Sequence, residues 1–182
     1  MNKNHNETIN KNIPNKVLIL TASGGGGLLT AAIAKEQEAK RNNPNAKVIT
    51  YDIMKESHIG RMGVKLYNTL QRKGDVFWLV RLTNLQKYFE SIFSPGAFFT
   101  VLTTLFKHNI DHIIDTQPLS ATAIIRAIKL YNKIKKKNVI LEKIIVDYPT
   151  KYCDHFFRNI RNLSKRNKKL VKIVCLSPLL DP

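Results

Sequence analysis

A serine followed by four glycines is the stretch of this sequence that is best suited to holding a ligand. These residues are Ser23, Gly24, Gly25, Gly26 and Gly27. Glycine has no Cβ and can adopt φ > 0, so the backbone of this run can approach an anion closely. The apolar residues from Leu28 onward predict a helix whose N-terminal N–H groups would face that anion. A turn that only lets a strand pack closely on a helix explains the same residues equally well.

Polar side chains also follow three other predicted strands. Thr116, Gln117 and Ser120 lie where a strand gives way to a helix, and their hydroxyl and amide groups could hold a phosphate or a polar headgroup. Ser120 is also suited to capping that helix. Asp52 and Asp147 end two more strands and are the candidate catalytic carboxylates, although Asp52 could equally bind a ribose hydroxyl or cap the next turn.

Short apolar runs that alternate with helical patterns predict the elements that position these residues. The run 17–20 is too short for a helix and is typical of a strand buried on both faces. Further strands are predicted at 47–51, 111–116, 139–146 and 172–176, with helices at 28–40 and 120–133. This is the pattern of a Rossmann-like α/β fold, an open parallel sheet of about five strands flanked by helices. In such a sheet the carboxyl ends of the strands meet at one crevice, which would bring the polar residues together.

Residues 61–108 interrupt this pattern with an aromatic-rich helical insertion. Ser94-Pro95-Gly96 predicts the end of one helix before a second at 97–107. Aromatic residues this dense usually pack in a core. The alternative is a surface that dips into lipid headgroups, for which basic residues nearby are suited. The candidate membrane-binding residues of this insertion are Trp78, Arg81, Phe98 and Phe99.

The charge of the chain favours polyanionic partners, because 30 Lys and Arg against 13 Asp and Glu give a net charge of +17. Between Arg158 and Lys172 there are seven basic residues and no acidic one. With an apolar stripe opposite, this block matches either a solvated helix face or a membrane-surface helix. Its candidate membrane-binding residues are Lys165, Arg166, Lys168 and Lys169.

The length of 182 residues predicts a single domain over 16–182, preceded by a disordered polar arm at 1–15. Cys153 and Cys175 are far apart in sequence, which favours a reducing compartment. No signal peptide and no apolar run long enough to span a bilayer is visible. We therefore expect a cytoplasmic protein that lies peripherally on a membrane. His108 and His112 straddle a predicted helix end and strand start, so no metal site is expected, and no cofactor is expected either.

Five stretches in order resemble the N-terminal domain of monogalactosyldiacylglycerol synthases and the related bacterial diacylglycerol glucosyltransferases. These are two-domain glycosyltransferases of the GT-B fold. The stretches are 17–32, 50–56, 66–68, 110–127 and 144–149. The order and spacing of the stretches carry the resemblance, which covers nearly all of the chain from Lys16 onward.

The resemblance implies an acceptor domain whose glycine loop and aromatic insertion face a diacylglycerol-type lipid at a membrane surface. It also implies a C-terminal domain, lacking in this sequence, that would hold the nucleotide-sugar donor. The family's histidine after the glycines corresponds to Gly27, and the histidine before proline in the plant enzymes corresponds to Gln117. Without these imidazoles, no residue of the cleft is an obvious general base near neutral pH.

The leading hypothesis is therefore a glycosyltransferase-like acceptor domain for hexosyl transfer from a nucleotide sugar to a diacylglycerol-type lipid, inactive without a donor domain. A non-catalytic basic module that associates with anionic membrane lipid is the alternative. A nucleotide-binding protein is weakened because Leu29 replaces the third glycine of the dinucleotide fingerprint. Binding to nucleic acid, which only the charge suggests, ranks last.

Overall fold

The computed structural model describes residues 14–24, 26–56, 58–146, 160–161 and 163–175. In this part of the chain the strands are β1 (Lys16–Thr21), β2 (Lys47–Asp52), β3 (His112–Asp115), β4 (Leu141–Ile145) and β5 (Val171–Cys175). The helices are α1 (Gly26–Asn42), α2 (Ile53–Glu56), α3 (His58–Lys73), α4 (Val76–His108), α5 (Ala121–Lys135) and α6 (Lys165–Lys168). No helix among these residues is long and apolar enough to cross a membrane.

The strands form one parallel sheet in the order β2-β1-β3-β4-β5. β1 lies between β2 and β3, the middle strand, and its Leu18 is opposite Ile49 of β2 and Ile113 of β3. The predicted Rossmann-like open parallel sheet of five strands flanked by helices is thus confirmed. The chain reverses its direction of travel across the sheet after β2, so β1 and β3 flank the point where ligands bind in folds of this kind.

The apolar run of β1 is continuous because helices cover both faces of the sheet. Leu18 and Leu20 pack in a cluster with α4 and α5, whereas Val17 and Ile19 pack in a second cluster with Ala31 and Ala32 of α1. Successive side chains of a strand point to opposite faces, so each cluster takes alternate residues. The site-bearing turns therefore extend from strands that are held on both sides.

α4 is a single helix through Pro95, so the predicted break at 94–96 is wrong. An internal proline removes one backbone hydrogen bond and costs about 3 kcal/mol. Packing offsets this cost, because Ala97, Val101 and Leu105, which follow the proline at helical spacing, are buried in the core with α5. At about 1.5 Å per residue this helix is far longer than the neighbouring strands.

The length of α4 determines where its first residues lie. Its last residue, His108, is followed closely by β3, which begins at His112, so the helix ends at the amino edge of the sheet. α4 packs along α5 on the same face, and its length carries Val76 and the following turns past the carboxyl edge.

Among the described residues between 160 and 172 the basic segment does not form one continuous helix, so the predicted helix is wrong there. Ser164 is extended at φ −59° and ψ 153°, and its Oγ accepts a hydrogen bond from Asn167 N at the start of α6. The chain then enters β5 at Val171, so Lys172 lies on a strand. Serine caps new helices readily, and here it interrupts the expected apolar stripe. The first residue of the basic block, Arg158, lies outside the described residues.

Ionisable side chains from α1, β3 and β5 meet at Glu142 of β4 on one face of the sheet. Its carboxylate lies 2.9 Å from Lys35 Nζ, 3.4 Å from His112 Nε2 and 3.8 Å from Lys172 Nζ. The hydrogen bond from His112 is the main cause that lowers the pKa of Glu142 to about 2, with Lys35 adding to it and burial opposing it. The cluster links four elements through one carboxylate.

We predict that Glu142→Gln lowers the free energy of unfolding by about 2 kcal/mol at neutral pH. A carboxyl group whose folded pKa is depressed stabilises the fold above its unfolded pKa, near 4.5, and loses this contribution as the pH falls toward 2. Urea unfolding at several pH values measures the difference, and the more exposed Glu38→Gln is the control. A difference that stayed constant down to pH 2 would contradict the assignment.

Candidate functional site

Buried polarity in the described part of the chain is concentrated at the carboxyl edge of the sheet. Six polar or charged residues are buried there, and they come from β1, β3, β4 and the turn between β3 and α5. They are Thr21, Asp115, Thr116, Gln117, Ser120 and Lys143. Burying polar groups is costly, so six at one edge mark a place with a specific role. This edge is also the switch point between β1 and β3.

The hydroxyls of Thr116 and Thr21 join the ends of β3 and β1 to the first turn of α1. Thr116 Oγ1 lies 3.1 Å from the carbonyl oxygen of Leu28 and 3.2 Å from Thr21 Oγ1. A hydroxyl has one proton and a carbonyl oxygen can only accept, so Thr116 donates to the Leu28 carbonyl oxygen and accepts from the Thr21 hydroxyl. Thr116 was predicted to bind a ligand, but its hydroxyl is hydrogen-bonded to other residues of the fold.

Asp115 and Lys143 form an ion pair from which solvent is fully excluded. Lys143 Nζ donates to Asp115 Oδ2 at 2.7 Å and also to the carbonyl oxygen of Gln117. Asp115 Oδ1 accepts from Gln117 N at 3.1 Å. Burial raises the pKa of Asp115, and the neighbouring ammonium of Lys143 and the N–H of Gln117 oppose that rise. The pair holds the turn that follows β3 against β4.

Lys143 is a residue of the site that the sequence analysis missed. The register of the sheet places it directly opposite Asp115. A lysine inside the otherwise apolar end of a strand, with a lone aspartate at the end of another strand, is the signal that could have identified the pair.

Ser120 does not cap α5, which corrects the expectation drawn from the sequence. Its backbone is left-handed, with φ 66° and ψ 11°, and its side chain makes no capping hydrogen bond. Its Oγ is buried without a hydrogen-bond partner, and so is Gln117 Nε2 in the same turn. In the left-handed conformation the Ser120 hydroxyl does not make the capping bond that an extended residue makes.

The glycine loop begins α1 earlier than predicted, at Gly26. The φ angles of three glycines of the loop lie outside the left-handed range: Gly24, Gly26 and Gly27. These positions therefore do not require a conformation that only glycine adopts readily. A Cβ added at Gly26 or Gly27 would meet nothing within 4 Å. The missing side chains leave the first turn of α1 open. Gly25 lies outside the described residues.

α3 lies over the loop that precedes α1. A Cβ at Gly24 would lie 3.9 Å from Val64 Cγ2 and 4.0 Å from Tyr67 Cδ1. Asn68 Nδ2 donates to the carbonyl oxygen of Ser23 at 3.3 Å. The start of the aromatic-rich insertion is therefore part of the candidate site.

Asp52 is engaged by its neighbours at the end of β2. Ser23 Oγ donates to its Oδ2, and the backbone N–H groups of Met54 and Lys55 lie 3.1 and 3.3 Å from its Oδ1. Lys55 Nζ lies 3.6 Å from Oδ2. These contacts match the capping alternative and tie the glycine loop to α2. The other candidate carboxylate, Asp147, lies outside the described residues.

The first turns of α4 expose an aromatic surface, which we call the aromatic face: Phe77, Trp78, Arg81 and Leu85. Phe77 is 62% exposed and Trp78 is 52% exposed. The Arg81 guanidinium lies 4.9 Å from the Phe77 ring centroid and 5.7 Å from that of Trp78. At about 100° per residue these four side chains share one side of the helix. They combine apolar area with a cation, as interfacial helices do.

The other aromatic residues of α4 divide between the core and the surface. Phe93 is buried, and Phe98 packs against the core cluster, so Phe98 belongs with the core more than with a free surface. Phe99 is 63% exposed, and its ring meets that of Phe98 edge to face at 5.3 Å. The four predicted basic membrane-binding residues, Lys165, Arg166, Lys168 and Lys169, are exposed on and beside α6.

We predict that Lys143→Met lowers the free energy of unfolding by about 3–5 kcal/mol, because it leaves the buried Asp115 carboxylate unpaired. Without Lys143 the pKa of Asp115 rises further, so the folded state binds its proton more tightly than the unfolded state. The destabilisation should therefore grow as the pH rises above about 4.

The double variant Asp115→Asn with Lys143→Met should cost less than Lys143→Met alone, because no buried charge remains. Urea unfolding of the two single variants and the double variant measures the coupling. Lys129→Met, at an exposed lysine of α5, is the control. Additive losses for the two single variants would contradict a buried ion pair.

A scan against protein-family models found no matching family, and a search of curated proteins found no matching protein. The resemblance to glycolipid glycosyltransferases stays a prediction. The function is accordingly argued from the carboxyl edge, the aromatic face and the charge of the chain.

Proposed function

We propose that this chain is a glycosyltransferase-like acceptor domain that binds a diacylglycerol-type lipid at an anionic membrane surface. The proposal combines the predicted resemblance with the physical character of one end of the molecule. Its chemistry would be the transfer of a hexose from a nucleoside-diphosphate sugar, held by a second domain, to a lipid hydroxyl. The hydroxyl oxygen bonds to the hexose and gives up its proton, and the nucleoside diphosphate leaves.

The aromatic face is the observation that carries the proposal. Phe77 and Trp78 are more than half exposed, although burying aromatic rings is favourable and soluble surfaces seldom expose two together. Trp78 and Arg81, neighbours on the helix surface, suit the boundary between acyl chains and headgroups, where the ring contacts the apolar chains and the cation stays hydrated.

The position of the aromatic face relative to the buried polar edge supports the same proposal. α3 covers the glycine loop and leads directly into the start of α4. An acceptor lipid partly drawn from the bilayer would then meet the polar turns of β1 and β3 close to the membrane surface. The net charge of +17 favours adsorption to anionic lipid.

We predict that replacing Phe77 and Trp78 together with alanine weakens binding to anionic vesicles by at least about tenfold, because roughly 0.8 kcal/mol is lost for each CH₂-sized group withdrawn from the membrane. Sedimentation with vesicles of phosphatidylcholine and phosphatidylglycerol measures the binding. Ile134→Ala is the matched control, since Ile134 is 56% exposed at the opposite end of the sheet.

An equal loss of vesicle binding in the aromatic variant and in Ile134→Ala would contradict the proposal that the aromatic face is the surface that contacts the membrane. Binding should also weaken as salt is added, since charges on the protein and the lipid are screened over about 10 Å at 0.1 M.

A non-catalytic membrane-association module is the second candidate, favoured by the exposed basic residues around α6. Both candidates bind vesicles, so catalysis separates them. The acceptor-domain proposal predicts that radiolabelled glucose passes from UDP-glucose to diacylglycerol in vesicles only when a separately produced donor-binding domain is added.

Absence of transfer under that condition, with vesicle binding retained, would favour the module. Transfer by the 182-residue chain alone would contradict the proposed need for a donor domain.

A further inference from the structure

The turn between β3 and α5 contains two buried side-chain atoms that lack a hydrogen-bond partner. Gln117 Nε2 and Ser120 Oγ belong to residues that are each 1% exposed. Native proteins pair nearly all buried polar groups, and an exception calls for an explanation such as an ion or ligand. An amide nitrogen can only donate, and a hydroxyl can donate as well as accept. A ligand that pairs with both atoms therefore has to be a hydrogen-bond acceptor.

The electrostatics of the turn favour an acceptor that carries negative charge. α5 has 15 residues, its first turn contains no acidic residue, and Ser120 does not cap it. The first N–H groups of a helix and its macrodipole attract anions. The uncapped start of α5 and the two unpartnered side-chain atoms thus point to the same kind of ligand.

The neighbouring ion pair makes the turn a stable support for such a ligand. Lys143 Nζ donates to the carbonyl oxygen of Gln117, and Asp115 Oδ1 accepts from Gln117 N. The ammonium of Lys143 lies 2.7 Å from Asp115 Oδ2 and neutralises this carboxylate beside the turn. The remaining positive potential comes from the start of α5.

We propose that the β3–α5 turn is a binding site for a phosphate group, whose oxygens accept from Gln117 Nε2, Ser120 Oγ and the first N–H groups of α5. The phosphate is either free in solution or part of a lipid headgroup. The lipid source rests on the proposed function, whereas the site itself does not. Because both side chains are 1% exposed, the turn has to open for the phosphate to enter, and the bound oxygens are then largely desolvated.

The test compares thermal unfolding of the full chain in potassium phosphate and in potassium chloride at equal ionic strength. Phosphate at about a hundred times its Kd should raise Tm by roughly 5–10 °C beyond the effect of chloride. In Ser120→Ala and Gln117→Met the apparent Kd for phosphate should rise at least about tenfold, as expected for a lost hydrogen bond to an anion. Thr103→Ala, at an exposed position of α4, should respond like the parent.

The Tm of the same variants without phosphate is a second readout, and it is expected not to fall. Removing a buried polar atom that has no partner leaves stability unchanged or higher, so Ser120→Ala and Gln117→Met should unfold at or above the parent's Tm. Ser120→Gly keeps the test interpretable if the alanine variant does not fold, because glycine tolerates the φ of 66°. Lower Tm values in all three variants without phosphate would overturn the proposal.

Two other outcomes would also overturn it. One is a parent chain that responds to phosphate no more than to chloride. The other is an equal phosphate response in parent and variants, which would assign the effect to the general charge of +17.

The source of the phosphate is resolved by competition. If short-chain phosphatidic acid displaces inorganic phosphate from the parent, the site takes a lipid headgroup; if it does not, the site takes free phosphate. Vesicle binding that depends on Trp78, with an unchanged phosphate response in the Ser120 and Gln117 variants, would reject the phosphate site and leave the proposed function standing. The reverse pattern would reject the proposed function and keep the site.

Discussion

A lysine and an aspartate that solvent does not reach hold the carboxyl ends of β3 and β4 together. Lys143 contacts both the Asp115 carboxylate and the backbone of Gln117, so the turn into α5 is fixed by one ammonium group. Such a pair adds little net stability, because desolvation offsets most of the attraction between the charges. The pair instead fixes the position of the turn against β4. Removing either charge would leave the other buried and unpaired.

The remainder of the carboxyl edge depends on that fixed turn. Thr116, the first residue after β3 at the start of the turn, reaches the first turn of α1 through the carbonyl oxygen of Leu28. The glycine loop before α1 is in turn tied to β2 through Ser23 and Asp52, and it is covered by α3. The ends of β1, β2, β3 and β4 and the starts of α1 and α2 thus form one connected polar region. The aromatic face of α4 lies beyond the same edge.

Much of the fold follows from local sequence signals. The run 17–20 and the helical spacing after Leu28 identify β1 and α1, because covered parallel strands are continuously apolar. The predicted break at Pro95 was wrong because the burial of Ala97, Val101 and Leu105 outweighs the local preference of proline. The predicted helix around Ser164 was wrong for the opposite reason, because a local capping residue ends the helical periodicity of the apolar residues.

The site was only partly predictable because its important contacts join residues far apart in the sequence. Because the carboxyl ends of parallel strands meet at one edge, the sequence predicted that Ser23, Asp52 and Thr116 lie there. Hydrogen bonds of all three residues are found at that edge. This rule about strand ends says nothing about burial, however. Lys143 bonds to Asp115, 28 residues earlier in the sequence. The Ser120 hydroxyl lacks a partner because its backbone is left-handed, a conformation that serine, unlike glycine, does not predict.

We propose above all that the aromatic face contacts the membrane. Trp78 is the only tryptophan of the chain, so its fluorescence reports on this face alone. The account predicts that anionic vesicles shift the Trp78 emission to shorter wavelength and that bromine-labelled acyl chains quench it, because the ring enters the acyl boundary. Emission that stays unshifted and unquenched while the protein is bound to vesicles would contradict it.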